Sequence, residues 1–380
     1  MGDRGPATGG TMTKSSPGIH PPRLRQLLRR LLDIYSPSGK EEEVLDYLYG
    51  YLKRCGLPVV QQEVDDNRYN LVILPREAEA SLVLIGHVDT VMAYDLESFG
   101  YEKQGDMVVG LGASDMKGGC AAMIEAYRVA WESLDSRLPV ALALVVGEEE
   151  DGDGAVALGR EFHFPWALVG EPTNLQPCLS HYGYLEVQIT TRGKRMHASL
   201  ANKGQNPIDG MLQFLLKLLH YIKTDRPEIV YNIRDLSSSQ AGFAVPDRCD
   251  AWLDIHLPPT APVGEIILEM EETLNHEYNE NQGFNGTLRF ATVHGGYTIP
   301  EKGLLAGVLK EVYAARGLPW EPQSFRSHSD GNLLWEAGMK PILLGPGELA
   351  KAHAPDEAIS FEQVHLAAQL YFELLLAFSR

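Results

Sequence analysis

Three short apolar runs, at 82–85, 140–146 and 166–169, are too brief for helices and carry almost no polar residue, so they predict buried strands. Each ends in polar, mostly acidic residues: Gly86-His87-Val88-Asp89, Gly147-Glu148-Glu149-Glu150-Asp151 and Gly170-Glu171. Around them the spacing turns helical. Leu24, Leu27, Leu28, Leu31 and Leu32 mark one face of a helix over 21–35, and Val44, Leu45, Leu48, Tyr51 and Leu52 mark a second, opened by a capping-box pattern of Ser38 with Glu41. An Ala- and Met-rich helix is expected over 120–133. Buried strands alternating with helices predict an α/β layer with functional groups at its strand ends.

The texture changes near Gly183. Polar and apolar residues alternate over 184–191, a helix is expected at 207–223, strands at 229–233 and 251–257, a helix at 263–278 and a strand at 287–292. That β-α-β-β-α-β order matches a ferredoxin-like α+β unit. Beyond it, a helix at 304–315, a buried strand at 341–344 and a closing helix at 361–378 return to the first style. The expected organisation is a flexible leader (1–20), a catalytic α/β unit with a mixed central sheet flanked by helices (21–182 and 298–380), and an inserted unit (183–297).

Composition narrows the classes. The chain has 380 residues, net charge −18 and 44% hydrophobic residues. That balance disfavours a nucleic-acid partner, since phosphate binding needs Lys and Arg, and no apolar run reaches the roughly 18 residues of a membrane span. Four scattered cysteines without a CxxC pair suit reduced thiols and a cytoplasmic location. Residues 1–20 lack the apolar core of a signal peptide. His87, Asp89, Asp115, Glu148, Glu149, Glu171 and His353 together supply two imidazoles and five carboxylates, enough for two divalent metals about 3.5–4 Å apart. Taken singly, each has a plainer reading as a hydrogen-bonded histidine or a turn-forming acid.

Five segments occur in an order that resembles the M20 dinuclear zinc peptidases and deacylases, the group with acetylornithine deacetylase, succinyl-diaminopimelate desuccinylase, aminoacylase and glutamate carboxypeptidase. They are Gly86-His87-Val88-Asp89-Thr90-Val91, 110–119 around Ser114-Asp115-Met116-Lys117, Gly147-Glu148-Glu149-Glu150, Gly170-Glu171-Pro172 and His353-Ala354-Pro355-Asp356-Glu357. The resemblance implies a zinc-peptidase-like catalytic domain and an inserted lid and dimerisation domain. It implies that His87 and Glu171 ligate one metal, Glu149 and His353 the other, and that Asp115 bridges them. Glu148 is then the general base and Asp89 the partner that orients His87. Zinc is the first choice, and cobalt or manganese fits the same mixed shell.

In this family a histidine in a segment like Gly193-Lys194-Arg195-Met196-His197-Ala198-Ser199 reaches the scissile carbonyl, in dimers from the partner subunit, which casts His197 in that part. Many members also clamp a substrate carboxylate with an Arg in an Asp-x-Arg-x-x-Pro motif. Here Asp254-Ile255-His256-Leu257-Pro258-Pro259 puts a histidine in its place, and an imidazole does not copy a bidentate guanidinium. His256, Arg326, Arg234 and Asn232 are the substrate-binding candidates. The expected function is a deacylase acting on a small N-acyl amino acid, such as one built on ornithine or diaminopimelate. The same chemistry serves a dipeptidase or carboxypeptidase, and a distant third reading is an inactive metal-binding scaffold. Glu150, Asp151 and Asp153 are expected to be a solvated turn.

Overall fold

The computed structural model describes residues 18–76, 79–134, 137–240, 242–281 and 283–379. Of the expected leader, residues 1–17 lie outside that range. The larger of two principal sheets has nine strands and is mixed. Its centre is four parallel strands side by side, Val140–Val145, Leu82–His87, Trp166–Val169 and Lys340–Leu343. Every residue of the first three is buried, which is why they read as unbroken apolar runs. Antiparallel strands extend both sides: the hairpin Val59–Glu63 and Tyr69–Ile73 on one, Cys178–His181 with Tyr297–Thr298 on the other.

Helices cover both faces. On one, Pro21–Leu32, Gly118–Ser133 and Phe361–Phe378 bury Leu28, Ala122 and Leu370 in a core shared with Leu84 and Leu142. On the other, Asp153–Glu161 and Asp330–Glu336 bring Leu158 and Leu334 against Val83, Ile85 and Val145. Alternate residues of one strand thus serve two cores.

The second helix departs from expectation at its start. It runs Glu42–Arg54 with Glu41 at the N-cap and no side-chain capping bond. Ser38 Oγ instead donates to Asp89 Oδ2 at 2.7 Å, and Glu41 is buried 3.6 Å from the Arg68 guanidinium. Charged partners elsewhere in the fold take both side chains away from the helix end.

The second sheet has four antiparallel strands in the order Val230–Ser238, Arg248–Leu257, Gly183–Arg192 and Gly286–His294. Helices Pro207–Asp225 and Val263–Glu280 contribute to one face of it, where Phe214, Leu218 and Met270 meet Val187, Ile189, Leu253 and Ile255. The alternate residues Tyr184, Glu186, Asp254 and His256 are on the opposite, half-buried face. Register shifts leave Arg234 and Ala291 without a cross-strand partner, one on each outer strand, and such bulges re-aim a side chain.

Candidate active site

The central strands deliver the site from their C-terminal ends. His87 closes the strand Leu82–His87. Glu148 and Glu149 follow Val140–Val145 after a turn at Gly147, whose φ of 75° and whose 2.0 Å approach of Asp153 Oδ1 to an added Cβ leave room for glycine alone. Glu171 stands two residues past Trp166–Val169. Asp115 comes from the segment Ala113–Lys117 that leads into helix Gly118–Ser133, and its peptide bond to Met116 is cis. His353 lies in the loop after Lys340–Leu343 with φ 59°, a left-handed conformation uncommon for a residue with a large side chain.

Asp115 sits between the two histidines. Its Oδ1 is 3.3 Å from His87 Nε2 and its Oδ2 is 3.5 Å from His353 Nε2. Glu149 Oε2 is 2.8 Å from the same His353 nitrogen, and one donor atom each from His87, Asp115 and Glu149 lie within 4.8 Å of one another. Glu171 is buried with Oε1 lacking a hydrogen-bond partner. A carboxylate offering one oxygen to each imidazole, beside an orphaned buried acid, is the donor set that a pair of divalent ions fits. Glu148 stands apart, its Oε2 3.8 Å from His87 Nε2.

The electrostatics describe a cluster short of positive charge. Burial pushes the Glu148 and Glu171 carboxyls well above the usual carboxylate range, with neighbouring acids adding to it. Burial pulls the His87 imidazole down, but hydrogen bonds and charges of Asp115, Asp89 and Glu148 outweigh it and raise it well above its ordinary value. The Glu149 hydrogen bond lifts His353 to about 9. Ligating imidazoles must be neutral, so metal binding here displaces protons.

Supporting residues hold this set. Asp89 is fully buried, with Oδ1 3.5 Å from His87 Nδ1, while its Oδ2 accepts from Ser38 Oγ and, at 3.0 Å, from the Glu149 N–H. It therefore touches both a histidine and the backbone of a neighbouring acid. Glu357 escaped the residue-by-residue reading of the sequence, although it ends the His353 segment. Its carboxylate accepts the N–H groups of Gly112 at 2.8 Å, Ser114 at 2.8 Å and Asp115 at 3.0 Å, tying the Asp115 loop to the His353 loop. Lys117 is buried and donates at 2.9 Å to the carbonyls of Leu31 and Ile34. Asp153 is not ordinary solvated surface: it pairs with Arg68 beneath the Gly147 turn. Glu150 and Asp151 line the cleft.

The cleft measures about 980 Å³, and its opposite wall comes from the second sheet. Tyr184, Glu186, Arg234, Asp254, His256, Thr292 and His294 line that wall, joined by His328. Arg234 bonds both acids, Glu186 and, at 3.2 Å, Asp254 Oδ1. Asn232 is exposed and donates to Asp254 Oδ2 at 3.3 Å. Arg326 is exposed and is not among the cleft-lining residues. His197 sits exposed on a two-stranded arm, Met196–His197 with Ala244–Val245, also away from the lining, its Nδ1 2.8 Å from Ser199 Oγ.

Comparison with known proteins follows the same lines. The model of Peptidase family M20/M25/M40 matches residues 83–377. An acetylornithine deacetylase of Edwardsiella ictaluri is 27% identical over 354 residues, covering 88% of this chain and 90% of that protein. In fold, a tripeptidase of Staphylococcus aureus is similar with a TM-score of 0.80 and 21% identity, over 95% of this chain and 99% of that one. A dinuclear metal-binding peptidase of Bacillus subtilis is similar with a TM-score of 0.69 and 14% identity, over 94% of this chain and 98% of that one.

Proposed function

The chain belongs to peptidase family M20/M25/M40 and is a metal-dependent hydrolase, and on that footing we propose that it cleaves the amide bond of an N-acyl amino acid. The observation that carries this reading is the separation of duties between adjacent acids: Glu149 faces His353 at 2.8 Å, while Glu148 turns into the cleft 3.8 Å from His87. His87, Asp115, Glu149, Glu171 and His353 would hold two divalent metals, zinc by the mixture of imidazole and carboxylate donors. Such ions would supply Lewis-acid polarisation of the scissile carbonyl and would lower the pKa of a water toward neutrality.

The chain's own residues do the rest. Glu148, whose carboxyl burial raises well above its ordinary value, accepts the proton of the attacking water and returns it to the departing amine. Asp89 fixes the His87 ring through its backbone carbonyl, 3.1 Å from Nδ1, and its carboxylate holds the Glu149 backbone. The substrate's amino-acid half lies against Arg234, His256 and Asn232, with Arg326 at a greater remove. Residues 183–297 act as lid and dimerisation unit, and His197 on its exposed arm reaches the active site of a second copy. Among the described residues no helix is long and apolar enough to cross a membrane, and the four cysteines are unpaired, which favours work in the cytoplasm.

A dipeptidase is the second reading, favoured by the fold likeness to the Staphylococcus tripeptidase. Turnover of N-acyl amino acids and of dipeptides by the zinc-loaded protein separates the two. Cleavage of the acyl compounds is the expected result, and turnover of dipeptides alone overturns the deacylase reading.

A further inference from the structure

The turn that carries Glu148 and Glu149 is held by residues that do not line the cleft. Within the turn, the Gly152 N–H reaches the Gly147 carbonyl at 2.7 Å and the Gly154 N–H reaches the Val146 carbonyl at 3.1 Å. Both bonds close the loop around the two acids without engaging either. The direction of the acids therefore depends on how the ends of the turn are set.

Asn70, on the hairpin beside the strand Val140–Val145, touches both ends. The backbone ladder between the two strands ends at Leu71 with Leu144. Beyond it the Asn70 side chain takes over: Oδ1 accepts the Val146 N–H at 3.3 Å and Nδ2 donates to the Gly154 carbonyl at 2.8 Å. The second Nδ2 hydrogen goes to Gln62 Oε1 at 2.9 Å, and Gln62 donates in turn to the Ala157 carbonyl at 3.0 Å and to Glu161 Oε2 at 2.7 Å. This network fixes the amide's orientation, since turned over it would set its donors against the Val146 N–H. Asn70 is fully buried. A carboxylate of the same shape has no donor for Gly154, and an apolar isostere serves neither end.

Arg68, two residues earlier, gives a second and independent support. It pairs with Asp153 and, at 2.6 Å, with Asp65, and stands 3.6 Å from buried Glu41. An added Cβ at Gly147 would lie 3.0 Å from Arg68 Nη1, and one at Gly154 would lie 2.8 Å from Asn70 Oδ1. The hairpin thus meets the turn where it begins and where it ends.

We propose that Asn70 is a positioning residue for the hydrolysis: by fixing both ends of the Gly147 turn it keeps Glu148 and Glu149 pointing in their separate directions, with Arg68 as the lesser support. The proposal rests on the reading of Glu149 as a metal ligand and Glu148 as the proton carrier. Its expected size follows from the cost of losing a partner behind metal ligands, about 10- to 100-fold in affinity or activity.

The test compares variants of the full chain. Asn70→Leu removes both bonds at similar volume, and Asn70→Asp keeps the acceptor but not the donor. Ile73→Ala is the control, because it opens a cavity in the core on the opposite face of the same strand. Zinc affinity by chelator competition reads the placement of Glu149, and kcat on an N-acyl amino acid at saturating zinc reads that of Glu148, both well below each variant's unfolding midpoint. Asn70→Leu is expected to weaken zinc binding about 10-fold and to lower kcat about 10- to 100-fold with KM little changed. Asn70→Asp should fall between it and the parent, and Ile73→Ala should lose stability while keeping the parent's zinc affinity and kcat. Parent values of either readout in Asn70→Leu overturn the proposal, and so do equal losses in Ile73→Ala, which would make Asn70 a strut of the fold and nothing more. Should Asn70→Leu fail to fold, Asn70→Asp decides on the same terms. The zinc measurement needs no substrate, so it still decides the placement of the turn if Glu148→Ala keeps the parent's rate and the proton-carrier reading falls.

Discussion

The wall made of strand ends and the wall made of the second sheet carry charge by different devices. In the first, carboxylates are pushed into a buried corner by the fold of a parallel sheet: burial raises Glu148 and Glu171, while the His87 imidazole holds Asp115 and Asp89 below their ordinary values. In the second, half-buried acids stand on the open face of an antiparallel sheet and are already paired with an arginine and hydroxyl groups. The first wall is built for ions that bring two charges each. The second sets one guanidinium between two acids.

The sharpest way to break this contrast is at Glu148. If it moves protons and does not hold metal, Glu148→Ala lowers kcat by about 10²- to 10⁴-fold while metal analysis still finds the wild-type content. A wild-type rate removes Glu148 from the mechanism, and lost metal makes it a ligand. Next in size is Glu357, whose carboxylate holds three backbone N–H groups of the Asp115 loop. Glu357→Ala should weaken metal affinity by about 10- to 100-fold, with partial rescue by Gln, which keeps one accepting oxygen. Unaltered affinity by chelator competition would mean that the loop holds its shape unaided.

The smallest expected effect belongs to His328 of the second wall and to buried His181 at the end of the strand Cys178–His181. Burial holds His181 at about 4 and His328 at about 3, below the ordinary histidine value of 6.5. Between those limits the unfolded chain binds protons that the folded chain refuses. The stability these neutral rings confer is therefore complete above about pH 6.5 and declines as pH falls toward 4, by about 1.4 kcal/mol per pH unit for each ring. Urea midpoints at pH 7 and pH 5 measure it. His328→Gln should show a shallower decline than the parent, and parallel declines would mean that the ring is not held neutral.

How much of each wall could be read in advance follows from the same contrast. Parallel strands buried on both faces advertise themselves as apolar runs, so the residues after them were conspicuous: His87, Glu148, Glu149 and Glu171 all follow such runs. The fold class and the order of elements in the second sheet were equally legible from period and length. The hairpin Val59–Glu63 with Tyr69–Ile73 was not, since its first strand neither alternates nor forms an apolar run and is only five residues long. Glu186 had no local signal either, and its pairing with Asp254 arises only from cross-strand register, over 68 residues of chain. Arg234 enters through a bulge, which adds one residue to a strand without marking it. Ser38 and Glu41 matched a capping pattern, yet long-range charged partners claimed both, a competition that local spacing cannot display.

The Glu357 contact also has a history in time. Its bond to the Asp115 N–H joins residues 242 apart in the chain. A ribosome adds about 5–20 residues per second, so the loop that presents Asp115 waits on the order of ten to fifty seconds for its clasp to be made. Until then a nascent chain holds most of its acids but not the piece that sets them, and the ions find a finished cage only when the last tenth of the protein has emerged.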